Sequence, residues 1–471
     1  MNTVQVVTSD YLVKCCSKVA ALSMGLLLAQ PAAGQAVNRT LQGYIETGLT
    51  QNVALRREGL AVATAAQQVR QARGLYQPQV QLNASYTLAN GGRTIDFPVG
   101  DLLNPAYRTL NALSGADRFP QLANQSIQLL PNNFHETKVR IIQPLFNTDI
   151  YYNYKAQREL LSVQQARQAA YRNTLRHQVE VAYYQYLQAG AAVAVYQATA
   201  HTLAELLRVS QARLAAGLTT HDAVYNTKAQ LAGNQRDLVS AANRRQLART
   251  NFNYLLARNL DDSITVEEPT GSTLAATVAP TNLGALRAAA VQQRPELEQL
   301  THAEAASAVG VRQRQAARRY PQLSWVTDLG YQGFGYRFEQ RQQRFQLMQF
   351  ALTWDVFRGG IKRGEEQLAR LALDDVQAQR ADLLQQLQLQ VTQAYDNLAA
   401  AREAAAAAVA AQLNAEKSYA LVRRRYVEGQ AIGLELLDAA TRQTTAQLAR
   451  TSAGYDVFIR EAELRQALAM E

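Results

Sequence analysis

Cysteine is nearly absent from this chain. The 471 residues hold two, Cys15 and Cys16, both upstream of an apolar run from Val19 to Leu28. A mature chain beginning after that run has no disulfide, no thiolate-held metal and no cysteine placed to carry an N-terminal lipid. Long apolar runs are missing too. Nothing downstream, the stretch Ala404–Ala411 included, approaches the ~18 consecutive apolar residues of a membrane-spanning helix. The five histidines, His135, His177, His201, His221 and His302, are scattered without metal-ligand spacing. Met348 and Met470 are the only methionines beyond the apolar run, which leaves no soft-metal pathway. No phosphate-cradling glycine loop, HExxH helix or nucleophile elbow is present. These absences argue against an enzyme: no catalytic residue, cofactor or metal site is assigned.

What is present begins with a leader. Lys14 and Lys18 precede the apolar run, and small residues follow in "AQPAAGQA". Basic, apolar, then small is the order of a secretory signal peptide, with cleavage expected after Ala36. Ten apolar residues are too few to cross a bilayer, which takes ~20. The formal charge is +10. Arginine is spread among Glu, Gln and Ala in helical stretches, so a solvated helical surface explains the charge and no nucleic-acid partner is expected. An exported chain without an apolar helix can still enter an outer membrane as a β-barrel.

The chain is written twice. Pro78-Gln79-Val80 reappears as Pro321-Gln322-Leu323, 243 positions on. "QPLFNTDI" at Gln143 resembles "WDVFRGGI" at Trp354, with Phe146 and Phe357 separated by 211. "AYYQYL" and "QAYDNL" keep that offset, and Gly217 and Gly429 are 212 apart. The drop from 243 to 211 puts 32 extra residues in the first half, within "NGGRTIDFPVGDLLNPAYRTLNALSGADRFPQLANQ". Its Gly, Pro, Asn and Asp content predicts a long surface loop. The expected organisation is a signal peptide at 1–36, a first repeat at 37–260, a linker at 261–282 and a second repeat at 283–471.

Each repeat predicts a helix of about 35 residues, a strand, a loop, a second strand, a very long helix, a glycine break and a helix of about 40 residues. After Pro78, Val80, Leu82, Ala84, Tyr86 and Leu88 alternate with Gln79, Gln81, Asn83, Ser85 and Thr87, which gives one apolar and one polar face. Met348, Phe350, Leu352, Trp354 and Val356 repeat the pattern. Lys138–Leu145 and the segment from Gln322 supply two more strands. Runs near ten residues suit tilted spanning strands of ~9–11 residues, yet four strands cannot close a pore-bearing barrel. Three chains would provide 12. No proline interrupts the intervals from Phe146 to Gly217 or from Phe357 to Gly429, each long enough for a helix of ~105 Å. A wall of helices follows, each half contributing one continuous and one composite column.

In these features the chain resembles the TolC-like outer-membrane efflux and secretion channel family, over essentially its whole mature length. The duplication, the Pro-Gln strand starts, the "QPLF" and "WDVFRGG" junctions and the two glycine turns carry the likeness together. The resemblance implies a mixed, mostly α fold: a homotrimer whose long antiparallel helices form an α-barrel through the periplasm and whose strands share a 12-stranded transmembrane β-barrel in outer-membrane lipid. It also implies docking onto a periplasmic adaptor (membrane fusion) protein and, through it, an inner-membrane pump that powers passive export. Gly217, Gly429 and Gly433 would sit at the tip turns. Tyr426 and Gly429 match the family's Tyr-x-x-Gly turn, and Glu435 and Asp438 match acids lining the periplasmic constriction. In a trimer these would form two carboxylate rings, which favour cations. At the first turn the family's aspartate falls on Ala223; Asp222, one position early, is left for the constriction or for capping the next helix. The family's basic partner after the second glycine is missing at Ala431 and Ile432. A periplasmic coiled-coil adaptor or structural envelope protein is the alternative reading.

Overall fold

The computed structural model describes residues 39–267, 283–337 and 343–470. The expected signal peptide, most of the 261–282 linker and part of the loop between Gly333 and Gln343 lie outside these residues.

The first half runs α1 (Arg39–Gln51), α2 (Val53–Gly74), β1 (Gln79–Thr87), β2 (Thr94–Phe97), α3 (Val99–Ser114), β3 (Gln125–Gln128), β4 (Phe134–Phe146), α4 (Thr148–Ala215) and α5 (His221–Leu255). The second runs α6 (Leu283–Gln293), α7 (Pro295–Arg319), β5 (Gln322–Phe334), β6 (Arg344–Thr353), α8 (Ile361–Val427) and α9 (Gly433–Ala467). The two long helices have 68 and 67 residues, about 100 Å at 1.5 Å per residue. Asn147 starts α4 by accepting the Asp149 and Ile150 amides at 2.9 and 3.3 Å. At the start of α8, Gly359 and Gly360 turn the chain with φ of 55° and 85°, angles that cost a side-chain-bearing residue energy.

The helices form four columns. The first part of α4 packs on α2 and α7, and its later part on α5 and α9. Polar pairs mark the progression: His302 Nδ1 meets Glu159 at 2.9 Å, Gln188 donates to Ser452 Oγ at 3.0 Å, and Thr199 meets Thr444 at 3.0 Å. Helix α8 repeats the arrangement against α7 and then α9. A composite α2/α5 column, continuous α4, a composite α7/α9 column and continuous α8 therefore stand side by side. Two apolar junctions hold them. One joins α1, α4 and α5 around Leu175, Tyr183, Phe252 and Leu256. The other joins α6, α8 and α9 around Ala290, Val391, Leu464 and Leu468.

The main sheet has the order β1-β4-β5-β6, antiparallel throughout. Its register puts Val80, Leu82, Val139, Ile141, Trp325, Leu329, Met348 and Phe350 on one face. The opposite face holds Gln81, Asn83, Lys138, Arg140 and Asp328. There the Arg140 guanidinium grips Asp328 through two bonds of 2.8 and 2.7 Å, with Lys138 at 3.9 Å. Among the described residues, β1 and β6 have no partner on their outer edges.

Several expectations change. The predicted loop after β1 carries β2, α3 and β3, and β2 and β3 form a second small sheet; six strands are present among the described residues, four of them in the main sheet. The last strand ends at Thr353, so Trp354 and Val356 lie beyond it, while β4 starts earlier than predicted, at Phe134. The 35-residue opening helix of each repeat is broken. At Asn52 the side chain caps α2 by accepting from Ala54 and Leu55, and donates to the Leu255 carbonyl at 2.8 Å. In the second half, Pro295 opens α7, where its missing N–H costs nothing.

Candidate functional site at the helix tips

Two turns close the end of the bundle farthest from the sheet. At the end of α4, the Gly217 amide reaches the Leu214 carbonyl at 3.0 Å and the Leu218 amide reaches Arg213 at 2.8 Å. At the end of α8, Gly429 reaches Tyr426 at 3.1 Å and Gln430 reaches Arg425 at 2.8 Å. This is the Schellman pattern in both places. It requires a left-handed residue, which Gly217 and Gly429 provide with φ of 72° and 80°. Gly433 differs. It is the first residue of α9, without positive φ, and a Cβ there would stand 3.7 Å from Ala223 Cβ and 3.9 Å from the Tyr426 ring. A Cβ there would make ordinary van der Waals contact with both, so the start of α9 lies beside the start of α5 and the end of α8 without needing glycine for space.

Tyr426 is buried in a tip core with Leu203, Leu206, Ala431, Leu436 and Leu437. Arg213 ties this core across the repeats. Its guanidinium lies over the Tyr426 ring, 4.7 Å from the centroid, and donates to the Tyr426 carbonyl at 2.7 Å. The residue at the matching position of the second turn, Arg425, points the other way, toward the Gln430 carbonyl at 3.2 Å and Glu435 at 4.0 Å.

Glu435 and Asp438 occupy the exposed side of α9, opposite buried Leu436, Leu437 and Ala440. Each has an arginine of the same chain nearby: Arg425 at 4.0 Å from Glu435, and Arg442 at 2.8 Å from Asp438. Exposed pairs of this kind are worth at most ~1 kcal/mol, so both carboxylates are free to meet other charges. Asp222 is not an N-cap. Thr220 holds that position, and Asp222 lies one residue inside the helix, accepting from Asn226 at 3.1 Å. Its stabilising role there is charge at the positive end of the helix dipole. The structure thus brings Tyr426, Gly429, Gly433 and Glu435 into one turn and sets Ala223 of the other turn against it. Arg213 and Arg442 were not singled out as site residues from sequence. Arg442 was legible as the i+4 partner of Asp438; Arg213 was not, because its partner lies 213 residues away.

This duplicated arrangement, a small amphipathic sheet at one end and hundred-ångström helices turning on glycine at the other, defines a TolC-like channel fold. Residues 286–470 match the family described as outer membrane efflux protein. The chain is similar to the outer-membrane channel OprN, at 17% identity, 92% coverage of this chain, 91% of that one and a TM-score of 0.75. VceC of Vibrio cholerae gives 19%, 92%, 96% and 0.73, and the open-state MtrE outer membrane channel of Neisseria gonorrhoeae gives 18%, 92%, 89% and 0.71. No curated protein sequence matches. The chain accordingly has the fold of these outer-membrane channels along its length, and residues 286–470 of its second half resemble the outer membrane efflux protein family.

Proposed function

We propose that three copies of this chain form a channel of the outer membrane of a Gram-negative bacterium, the passive exit duct of a tripartite efflux pump or type I secretion system, gated at the periplasmic helix tips. The observation that carries this reading is that the protomer ends in unfilled edges at every level. β1 and β6 are open edges among the described residues, and exposed strand edges are normally paired or protected. In the helical part, Tyr225, Val239, Leu247 and Tyr254 are exposed along α5, and Leu389, Val409, Leu413 and Leu421 along α8. These are the two outermost columns. A ring of three copies would join β6 to the next β1 and α8 to the next α2/α5 column, giving 12 strands and 12 helical columns.

Aromatic side chains support the membrane placement. Phe146 and Tyr320 pair at the helix-side end of the sheet, and at the far end Tyr86, on the apolar face, meets Tyr336. The 13-residue β5, tilted by ~45°, would rise ~30 Å between them, the thickness of a hydrocarbon core with aromatic girdles. An adaptor at the tips and a pump beyond it complete the reading; both are separate chains. A soluble periplasmic adaptor would have no use for an amphipathic sheet with an apolar face this open.

The reading is tested on detergent-purified protein. Trimeric mass, retention in outer-membrane vesicles through carbonate washing, and discrete conductance in planar bilayers are expected; a monomer released by carbonate would overturn it. For the gate, Glu435→Ala with Asp438→Ala should reduce cation preference. Unchanged reversal potentials in asymmetric salt would remove these two residues from the selectivity argument.

A further inference from the structure

The 46-residue segment between β1 and β4 has no counterpart of its size in the second half, and it folds around a helix turned inside out. The polar side of α3 faces the protein. Asn104 accepts from the Leu122 amide at 2.7 Å and donates to the Leu122 carbonyl at 2.9 Å. One heptad later, Asn111 accepts from Phe119 at 2.9 Å and donates back at 2.8 Å. Each amide thus holds the returning chain as a strand neighbour would. Asn124 locks the helix start, donating to Asp101 at 2.8 Å, and Gly100 leaves room for the Leu122 carbonyl, which a Cβ would strike. Leu102, Leu103, Leu110 and Leu113 are left on the outside, with Leu102 73% and Leu113 80% exposed.

The spacing of Leu103, Ala106, Leu110 and Leu113 is three, four, three, the a/d spacing of a helix that packs on another helix. A helix lying on lipid carries basic side chains along its polar flanks; α3 has a single one, Arg108, matched by Asp101. Position supplies the rest of the argument. The segment leaves from Thr87, at the end of the sheet away from the long helices, and β1 is an edge strand. In the trimeric reading, on which this inference rests, that edge is where the next copy begins.

We propose that the α3 helices of three copies pack against one another through Leu103, Ala106, Leu110 and Leu113, narrowing the outer mouth of the channel. It is an interaction surface for a second and third copy of the chain, at the opposite end from the tip turns.

Cysteine cross-linking tests it directly, because the chain has no cysteine beyond Cys16. Leu110→Cys in the full-length exported protein, oxidised with copper phenanthroline in outer-membrane vesicles, should give a covalent dimer. Arg108→Cys, on another side of α3, should not. A Leu103→Ser, Leu110→Ser, Leu113→Ser variant should keep its trimeric mass and conduct severalfold more than the native channel. Trimeric mass with no Leu110→Cys dimer overturns the proposal while leaving the trimer intact. So does quenching of a fluorophore on Leu110→Cys by brominated lipid, which would place the stripe in the bilayer. A monomeric mass would instead defeat the trimeric reading beneath it, and this proposal with it.

Discussion

Midway along the bundle, α1, α4 and α5 meet in the first half, and α6, α8 and α9 meet in the second. The repeat offsets pair their residues. Tyr183 of α4 corresponds to Ala394 of α8, Phe252 of α5 to Leu464 of α9 and Leu256 to Leu468; with the helix breaks at Asn52 and Arg294 aligned, 242 positions apart, Tyr44 of α1 corresponds to Leu286 of α6. The first junction is aromatic: Tyr44 meets Phe252 edge-on at 5.1 Å, and Tyr183 lies 5.8 Å from Phe252. The buried side chains of the second are aliphatic, with Tyr395 packed at the edge. Gly48, where a Cβ would come within 3.2 Å of Leu256 and 3.3 Å of Val179, corresponds to buried Ala290. Duplication has kept a three-helix junction in each half but filled it differently. The first half has large rings and a glycine; the second has leucines and alanines.

A reason for the aromatics lies in the chain after α5. Ile264 is part of the first junction, and the Tyr183 hydroxyl accepts from the Glu267 amide at 3.0 Å and donates to its carbonyl at 3.2 Å. Tyr183 thus fills the core and anchors the segment leaving it. Ala394 has no such strap across it among the described residues.

The strongest way to break the comparison is to empty each junction. Phe252→Ala should destabilise by ~3–5 kcal/mol and Leu464→Ala by ~2–5 kcal/mol, since a buried ring leaves the larger cavity. Urea unfolding of the detergent-solubilised protein, followed by circular dichroism, reads both. A greater loss for Leu464→Ala would mean that the alanine-rich junction carries more of the stability than its volume suggests.

Tyr183→Phe is next in size. It keeps the ring and removes the hydroxyl, so ~1–2 kcal/mol should be lost. The distinctive readout is local: amide exchange at Glu267 should quicken while α4 and α5 stay protected. Uniform quickening across the helices would mean that the hydroxyl serves the junction and not the strap.

What was legible in the sequence was local. Period-two alternation after Pro78 marks β1 because successive strand side chains point to opposite faces. Gly217 and Gly429 mark the tips because a Schellman turn needs positive φ. The helix α3 was read as loop because Asn104, Pro105 and Asn111 look like turn residues, and its leucines lie on the outside where no core implies them. The break at Arg294 was legible, since Pro295 follows it; the break at Asn52 depends on the Leu255 carbonyl, 203 residues away. At the tips, Glu435 and Asp438 could be picked as a pair on one helix face. The Arg213–Tyr426 clasp joins separate repeats and leaves no local pattern.

A smaller effect should be equal in both halves. α5 and α9 end alike: Ala257 and Ala469 take φ of 53° and 52°, and Arg258 and Met470 close six-residue loops onto Asn253 and Arg465 at 3.0 and 3.1 Å. An L residue in this region costs ~1–2 kcal/mol, partly offset by the ~0.5–1 kcal/mol of chain entropy that glycine loses. Ala257→Gly and Ala469→Gly should each stabilise by up to ~1 kcal/mol in the same urea titration. A gain at one cap and a loss at the other would show that the two ends are alike only in backbone geometry.

The subtlest difference between the junctions is titratable. His177 of α4 corresponds to Gln388 of α8. Burial holds the His177 imidazole below its ordinary range, against the opposing pull of nearby Glu463 and a backbone bond at Ala462. The unfolded imidazole protonates near pH ~6.5. As pH falls through that value the unfolded chain binds a proton that the folded chain does not, so stability declines until the folded imidazole also titrates. Glu180, one turn along α4, acts in the opposite sense. Burial raises its carboxyl despite Arg465 and Arg176, so the folded chain takes up that proton first and gains stability on acidification. Measuring the difference between native protein and His177→Gln cancels the Glu180 contribution to first order. The native protein should lose stability relative to the variant between about pH 7 and pH 5. A difference that stays constant across that interval would mean the imidazole titrates alike in folded and unfolded chains, and that in this respect the two junctions behave as one.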